Sequence, residues 1–444
     1  MRGIGLGDYN TPCSFTNSKF LIFFLLMTTA ITGGQLITGL GTDPIPNGTV
    51  VIVGDRIAAA GPATDVPIPA DANTIDASGH TVLPGLIDCH VHSTYRARDV
   101  KQHLLNTPSY NILRSTQIIE ETLACGITSA REMSGADAGF REAINEGLIP
   151  GPRLQISILM ISQTGGHGDY WVPAGMHIPK RAWLRSPVAD GPEEIRKLVR
   201  HVLMAGADFV KICTSGGITS VSDSWDEPQY TVEEIRVAVD EAANKGKGVA
   251  VHAEGTSGIK RALEAKVHSI EHGWFVDEEC VDRMIDQGTW WVPTIALVPL
   301  SVEHRKTNTQ WSTQQLGDEA KKDNEILSLF ETQRSLWRDA VRRGIKVAMG
   351  SDQSHRLMTG NNLVELEYMV DWLGISPMEA IVCATGRAAE CMQRPDLGAL
   401  EPGRLADVVV VEGDPLSDIK LLQGRDKIKL IMKDGEFYKQ ELVE

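Results

Sequence analysis

From Ala30 to about Val82 apolar and polar positions alternate over short runs, QLITG, TVVIVGDRIAAAG and NTIDASGHTVL, separated by Gly, Asp, Asn and Pro. A period of two bounded by turn residues predicts half-buried strands, here a small β unit. From Leu83 the pattern changes. Eight short apolar runs, VLPGLIDCH, GITSAR, RLQIS, DFVKIC, GVAVHA, HSIEH, WWVPT and KVAMGSD, alternate with stretches whose apolar residues recur every three to four positions. GPEEIRKLVRHVLMAG, TVEEIRVAVDEAANKG, GTSGIKRALEAK and DEECVDRMIDQG are such stretches, with capping residues ahead and often Gly behind. Eight strand–helix units predict an α/β fold, a (β/α)8 TIM barrel over residues 83–392. After Met392 strands and turns return, so residues 30–82 and 393–444 are expected to pair as a small split β-sandwich domain. Residues 1–29 form an N-terminal tail with one apolar segment, Phe20 to Thr28. It is too short to span a bilayer, so no stable membrane span is expected; a buried strand is the simpler reading, a secretory signal the other.

Charge and cysteine content narrow the function classes. Lys and Arg number 43 against 58 Asp and Glu in 444 residues, a formal charge of −15, which disfavours nucleic acid as a partner. Seven dispersed cysteines without a Cys-x-x-Cys argue for reduced thiols and a cytoplasmic protein, or a secreted one if the apolar segment is a signal.

The histidines carry the chemistry. His90 and His92 sit two apart at the end of the first predicted barrel strand, so both imidazoles face one side while Cys89 and Val91 face the other. Alone, the pair could equally be packing residues. His252 ends the fifth strand, His272 the sixth and Asp352 the eighth, and in a (β/α)8 barrel these ends converge on one mouth. Four imidazoles and a carboxylate are a ligand set for Zn²⁺ or a similar divalent ion. Lys211 lies on the fourth strand, where an ammonium beside metal is unfavourable; either it snorkels out of the mouth or it is chemically altered, as a carbamate able to bridge two ions.

These motifs resemble the amidohydrolase superfamily, and within it the imidazolonepropionase-like and metal-dependent Xaa-Pro dipeptidase (prolidase) group that includes fungal ochratoxinase. The matching stretches are LITGLGTDPIPNGTVVIVGDRIAAAGP, LPGLIDCHVH, QTGGHGD, VKICTSGGI, VAVHAEG, SIEHG, GSD and ADVVVVEGDPL, from about residue 35 to the C-terminus. The resemblance implies a binuclear site. His90, His92 and Asp352 would hold one ion and His252 and His272 the other, with carbamylated Lys211 between them and a metal-bridging hydroxide as nucleophile. Asp352 would also be catalytic, passing the proton to the leaving amine. It further implies Zn²⁺ as the preferred ion, a homo-oligomer, and a small-molecule substrate with a C–N amide bond, a dipeptide or N-acyl amino acid. His167, in GGHGD, and Tyr230 match positions that contact substrate in relatives. His355, three residues after Asp352, is a departure from them, and Cys213 shares the strand parity of Lys211 but reads as a small core residue. His268 begins the strand that ends in His272 and is expected at the opposite face. Hydrolysis of a cyclic amide or lactone, a lyase acting on a secondary metabolite, and a non-catalytic scaffold of the same fold remain as alternatives.

Overall fold

The computed structural model describes residues 27–94, 106–169, 171–172, 176–177, 185–218, 223–306, 313–354 and 359–442. His355 and nearly all of the Phe20–Thr28 segment lie outside them.

Both ends of the chain build one eight-stranded sheet. Strands β1 (Thr28–Leu36), β2 (Ile45–Val53), β3 (Arg56–Pro62), β4 (Asn73–Asp76) and β5 (His80–Pro84) come from the N-terminal side. Strands β16 (Val408–Glu412), β17 (Ile428–Lys433) and β18 (Glu436–Gln440) come from the C-terminal side. Their order is β18-β17-β16-β5-β1-β2-β3, with β4 added against β1. The two halves meet at β5 and β16, antiparallel with His80 opposite Glu412 and Pro84 opposite Val408. Alternate positions of the strands, including Ile31, Val50, Ile52, Val82, Val408, Val410 and Leu430, share one buried cluster. The far edge bends back towards the C-terminal half, where Ile57 N donates to Arg404 O at 2.9 Å.

Between these halves lie parallel strands alternating with helices. Three parallel strands, β6 (Leu86–Val91), β7 (Ile127–Glu132) and β8 (Arg153–Ile156), form one sheet. A second has the order β15-β14-β13-β12-β9, built from β9 (Met160–Ile161), β12 (Val210–Cys213), β13 (Val249–Ala253), β14 (Ser269–His272) and β15 (Trp290–Val292). All six residues of β6 and all five of β13 are buried, the signature of strands covered on both faces. This is an α/β fold with parallel sheets, consistent with a TIM barrel. The remaining strands, β10 (Trp171–Val172) and β11 (Met176–His177), form a separate antiparallel pair.

The helices follow the periodic stretches of the sequence: Gly191–Met204, Val232–Ala243, Thr256–Glu264 and Glu278–Gln287. Each begins where the sequence supplies a stop for the preceding loop. Thr231 and Glu234 form a reciprocal capping box, and the Asp277 carboxylate accepts from Cys280 N. Gly288, at φ 67°, ends the last of these helices in the left-handed conformation that favours glycine.

Three details differ from the regular pattern the sequence suggests. The run VLPGLIDCH is divided, since β5 continues to Pro84 in the terminal sheet and β6 starts at Leu86. Gly85 turns the corner, and a Cβ there would stand 2.2 Å from Thr128 Oγ1. The third run stops before Ile158, at φ 67°, and a further short strand follows it, so β8 pairs with β7 and β9 with β12. The eighth run, KVAMGSD, makes single bridges rather than a ladder: Val347 with Trp291 on one side, Gln353 with Val91 on the other. It nevertheless links β15 to β6, with Cys89 N donating to Met349 O at 2.9 Å and Asp352 N to His90 O at 2.8 Å.

Candidate metal centre and active site

His90 and His92 leave the end of β6 with both rings directed to the end of the 346–353 segment, where the Asp352 carboxylate meets them. His90 Nε2 is 3.6 Å and His92 Nε2 3.4 Å from Asp352 Oδ1. One ligand atom from each of the three lies within 4.8 Å of the others, an arrangement able to hold a metal ion. Asp88 fixes the two chain segments to each other: its carboxylate accepts from His90 N and Ser351 N, each at 3.0 Å, and from Ser351 Oγ and Asn362 Nδ2 at 2.6 and 2.8 Å.

From His90 the imidazoles continue in a chain. The ring centroids of His90 and His272 are 5.0 Å apart, and those of His272 and His252 4.6 Å. The His167 ring stacks on His252 at 3.9 Å, nearly parallel. Gly217 makes room for that stack, because a Cβ there would meet His167 Cε1 at 2.5 Å. The structure thus brings His90, His92, His252, His272, His167 and Asp352 to one place.

The partners of each ring define which nitrogen carries the lone pair. His90 Nδ1 donates to Glu271 Oε2 at 2.9 Å and His252 Nε2 to the Gly216 carbonyl at 3.1 Å, while His272 Nδ1 and Thr294 Oγ1 share a hydrogen bond at 2.8 Å. In His90 and His252 the opposite nitrogen then carries the lone pair. Burial, and then the charges of neighbouring His167, His272 and Lys211, hold His252 well below the usual histidine value; burial, followed by His90, Lys211 and His167, does the same for His272. Both rings are therefore neutral, the state a metal requires.

Lys211 is almost fully buried on β12, and its Nζ has no hydrogen-bond partner among the described residues. Burial drives its pKa down, against the opposing charges of Glu271, Cys213 and Asp352. An unpaired ammonium in such a place costs several kcal/mol, so a neutral amine or a modified one is the stable form.

Several residues that the sequence did not single out complete the site. Glu271 receives, besides His90, Arg131 NH2 at 2.7 Å and Ser269 Oγ at 2.6 Å. Glu254 is buried, its Oε2 accepting from Ile218 N at 2.7 Å and its Oε1 3.8 Å from His252 Nε2; burial first, then Asp223 and Asp352, push its carboxyl well above the usual range. Asp223 Oδ2 lies 3.8 Å from His167 Nδ1. Both glutamates stand one or two residues from a clustered histidine in SIEH and VHAE, which was the available signal. Tyr230 is placed differently from a wall residue: it is buried, and its hydroxyl donates to Ala189 O at 2.7 Å, so its one hydroxyl hydrogen is committed inside the protein. Cys213 is buried on β12 as a small core residue. His268 sits at the other end of β14, bonded through Nε2 to Cys391 O at 2.8 Å.

A family model, the amidohydrolase family, matches residues 81–437. The chain belongs to the amidohydrolase family. It is a hydrolase acting on carbon–nitrogen bonds. It is 32% identical over 432 residues to ochratoxinase of Aspergillus niger, covering 93% of this chain and 86% of that one. The crystal structure of the A. niger enzyme matches with a TM-score of 0.81 at 30% identity, over 94% of this chain and 96% of the other. A Xaa-Pro dipeptidase with methionine bound in the active site gives a TM-score of 0.80 at 33% identity, covering 93% of this chain and all of that one. A prolidase complexed with N-methylphosphonate-L-proline gives 0.83 at 31% identity, with the same coverage. No helix among the described residues is long and apolar enough to cross a membrane.

Proposed function

We propose that the chain is a binuclear metal-dependent amidohydrolase that cleaves the amide bond of a dipeptide or an N-acyl amino acid. The observation that carries this reading is the single cluster of four imidazoles, the Asp352 carboxylate and the buried Lys211 amine, which has no hydrogen-bond partner among the described residues. The donor set fits two divalent ions, Zn²⁺ for preference: His90, His92 and Asp352 for one, His252 and His272 for the other, and Lys211 as a carbamate between them. A carbamate would replace the unfavourable buried cation with a carboxylate. When bound, such ions activate water at neutral pH and polarise the scissile carbonyl.

The chain's own groups then have distinct tasks. Asp352, with Oδ1 in reach of both His90 and His92, takes the proton of the attacking water and delivers it to the departing amine. Glu271, tied to Arg131, holds the His90 ring in the tautomer that puts the lone pair on Nε2, towards Asp352. His167, stacked on His252 and backed by Asp223, stands beside the imidazole cluster as a substrate contact. Tyr230 shapes the neighbouring loop through Ala189 and positions this wall. Ochratoxinase and the prolidases named above support an amide substrate ending in an amino acid.

The same observations favour the closed eight-stranded barrel, with KVAMGSD as the strand joining β15 to β6, and a two-layered terminal unit in which the sheet folds over the cluster around Ile31 and Val410. Metal analysis with amine release from a panel of dipeptides and N-acyl amino acids tests the function. Lys211→Ala is expected to lower bound metal from two ions towards one or none, with partial recovery in a small added carboxylate; unchanged stoichiometry would remove the carbamate bridge. Metal without amine release from any member of the panel would point to the lactone, cyclic-amide or lyase alternatives.

A further inference from the structure

Behind the imidazole cluster, one short stretch of chain reaches both of its halves. Residues 362–366, which follow the eighth apolar run and lead into the helix Val364–Tyr368, are all buried. Two of them are polar, Asn362 and Glu365, and neither has any exposed surface. Glu365 N donates to Asn362 O at 3.2 Å, so the two side chains stand one helical turn apart on one face. A carboxyl group enclosed by protein is costly unless its oxygens are bonded. Glu365 meets that condition with two consecutive backbone donors: Ile295 N donates to Oε1 at 2.7 Å and Ala296 N to Oε2 at 2.8 Å. Asn362 Nδ2 donates to Asp88 Oδ2 at 2.8 Å, on the carboxylate that also accepts from His90 N and Ser351 N.

What Glu365 holds is the turn that carries Thr294. This residue has φ at 48°, a left-handed conformation that is unusual for a β-branched side chain and is kept only where the surroundings impose it. Here they do so from both sides. Ahead of Thr294, Trp274 Nε1 donates to Pro293 O at 2.7 Å; after it, Glu365 takes the next two N–H groups. The hydroxyl placed in this way shares the 2.8 Å hydrogen bond with His272 Nδ1. A bond at Nδ1 fixes the rotation of the ring, and with it the position of Nε2.

We propose that Glu365 is a positioning residue for His272: through Ile295 and Ala296 it fixes the Thr294 turn, and through the Thr294 hydroxyl it orients the imidazole. The assignment rests on the reading of His272 as a ligand of the second ion. Asn362, one turn earlier, reaches the His90 and Asp352 half of the centre through Asp88, so a single turn braces both halves by separate arms. A Glu365 that did no more than cap the helix Leu297–Lys306 would add stability, and its replacement would leave the His272 ring unmoved.

Glu365→Gln tests the assignment in the full chain, because the side chain keeps its size while one acceptor oxygen becomes an NH2 group facing a backbone N–H. Competition between a chelator and the chain for Zn²⁺ should show one of two ions weakened ~10–100-fold, the same ion as in His272→Gln, whereas Asn362→Ala should weaken the other. Equal weakening of both ions in Glu365→Gln would reduce Glu365 to a general structural role and overturn the proposal. The second readout needs no metal. In chelator-treated protein with ¹⁵N-labelled histidines, the ring nitrogen signals absent from His272→Gln identify His272; they should shift or broaden in Glu365→Gln while those of His90 and His92 hold. Unmoved His272 signals in a folded Glu365→Gln chain overturn the proposal as well. Thr294→Val, which keeps the side-chain shape and the Glu365 bonds but removes the hydroxyl, should reproduce the change at His272, and it decides if Glu365→Gln fails to fold. A parent chain that binds fewer than two ions would remove the binuclear reading, and the metal-free spectra would still decide whether Glu365 orients the ring.

Discussion

At the residue scale, the site depends on backbone conformations that side-chain spacing does not encode. His272, Thr294 and Asp352 all adopt positive φ, at 68°, 48° and 52°. For residues other than glycine each such conformation costs about 1–3 kcal/mol and persists only where the surroundings fix it. Here Trp291 Nε1 donates to His272 O at 2.7 Å and Asp352 N donates to His90 O. The consequence at β14 is direct. Neighbours on a strand point to opposite faces, yet Glu271 and His272 both approach His90, because the left-handed turn at His272 breaks the alternation. Glu271→Gln should weaken metal binding by ~10–100-fold, since the amide no longer offers His90 a charged acceptor. Chelator competition measures this, and unaltered affinity would count against an orienting role. Asp352→Asn should retain much of the metal while kcat falls by ~100-fold or more, the range for loss of a general acid–base group. Full turnover with normal metal content would move the proton transfer elsewhere.

At the element scale, the ligand ends of β6 and the 346–353 segment approach closely because Gly350 has no side chain. An added Cβ would stand 2.4 Å from Val292 Cγ1 and 2.8 Å from His90 Cβ. Gly350→Ala should destabilise the fold by ~1–3 kcal/mol through overpacking, read as a lowered denaturant midpoint, and should disturb the His90 ligand geometry as well. An alanine variant as stable as the parent would show that the strands can separate freely there. Periodicity, caps and the strand-end histidines were legible in the sequence because each is local: the four helices named above, the apolar strands and the H-x-H pair depend on residues close in the chain. The split at Gly85, the break at Ile158, the bridge-only eighth run and the committed hydroxyl of Tyr230 were not. Each is decided by a partner between about 20 and about 260 residues away, such as Thr128, Ala189, Trp291 or Val91, and a single sequence does not print those pairings. The resemblance supplied the functional grouping of the ligands; Glu271 and Glu254 needed the three-dimensional arrangement.

At the scale of the whole molecule, the terminal sheet and the parallel strands are joined by an ionic link whose Asp407 is buried, Arg153 partly buried and Asp434 exposed. Arg153 on β8 donates to Ser129 Oγ and Asp407 Oδ2 at 2.7 and 2.8 Å and also to Asp434, while Asp407 Oδ1 accepts from Asp434 N. The two carboxylates raise the Arg153 pKa despite its burial. Arg153→Ala would leave Asp407 buried beside a second carboxylate without its cation, and should cost ~3–5 kcal/mol in chemical denaturation. A loss below 1 kcal/mol would mean that the two units are held together by apolar packing alone.

The buried imidazoles give the molecule a definite acid response. His252 and His272 are held neutral in the fold, whereas in the unfolded chain each takes a proton around its ordinary value of 6.5. Their folded pKa values are lowered, so the unfolded state binds more protons below 6.5 and stability falls as the pH drops through that value; above it these two groups impose no penalty. Each contributes a slope of about 1.4 kcal/mol per pH unit once the unfolded histidine is fully protonated. Glu254 and Glu365 act in the opposite sense, because burial raises their carboxyls well above 4.5 and the fold then binds protons that the unfolded chain releases. The net curve mixes both, and a difference experiment separates them. In chelator-treated protein, His252→Gln should remove ~1 kcal/mol per pH unit from the stability lost between pH 6 and pH 5, leaving the carboxyl contributions in place. Parallel stability–pH curves for parent and variant across that interval would show that His252 takes up its proton in the metal-free fold as readily as in the unfolded chain, against the effect of its burial.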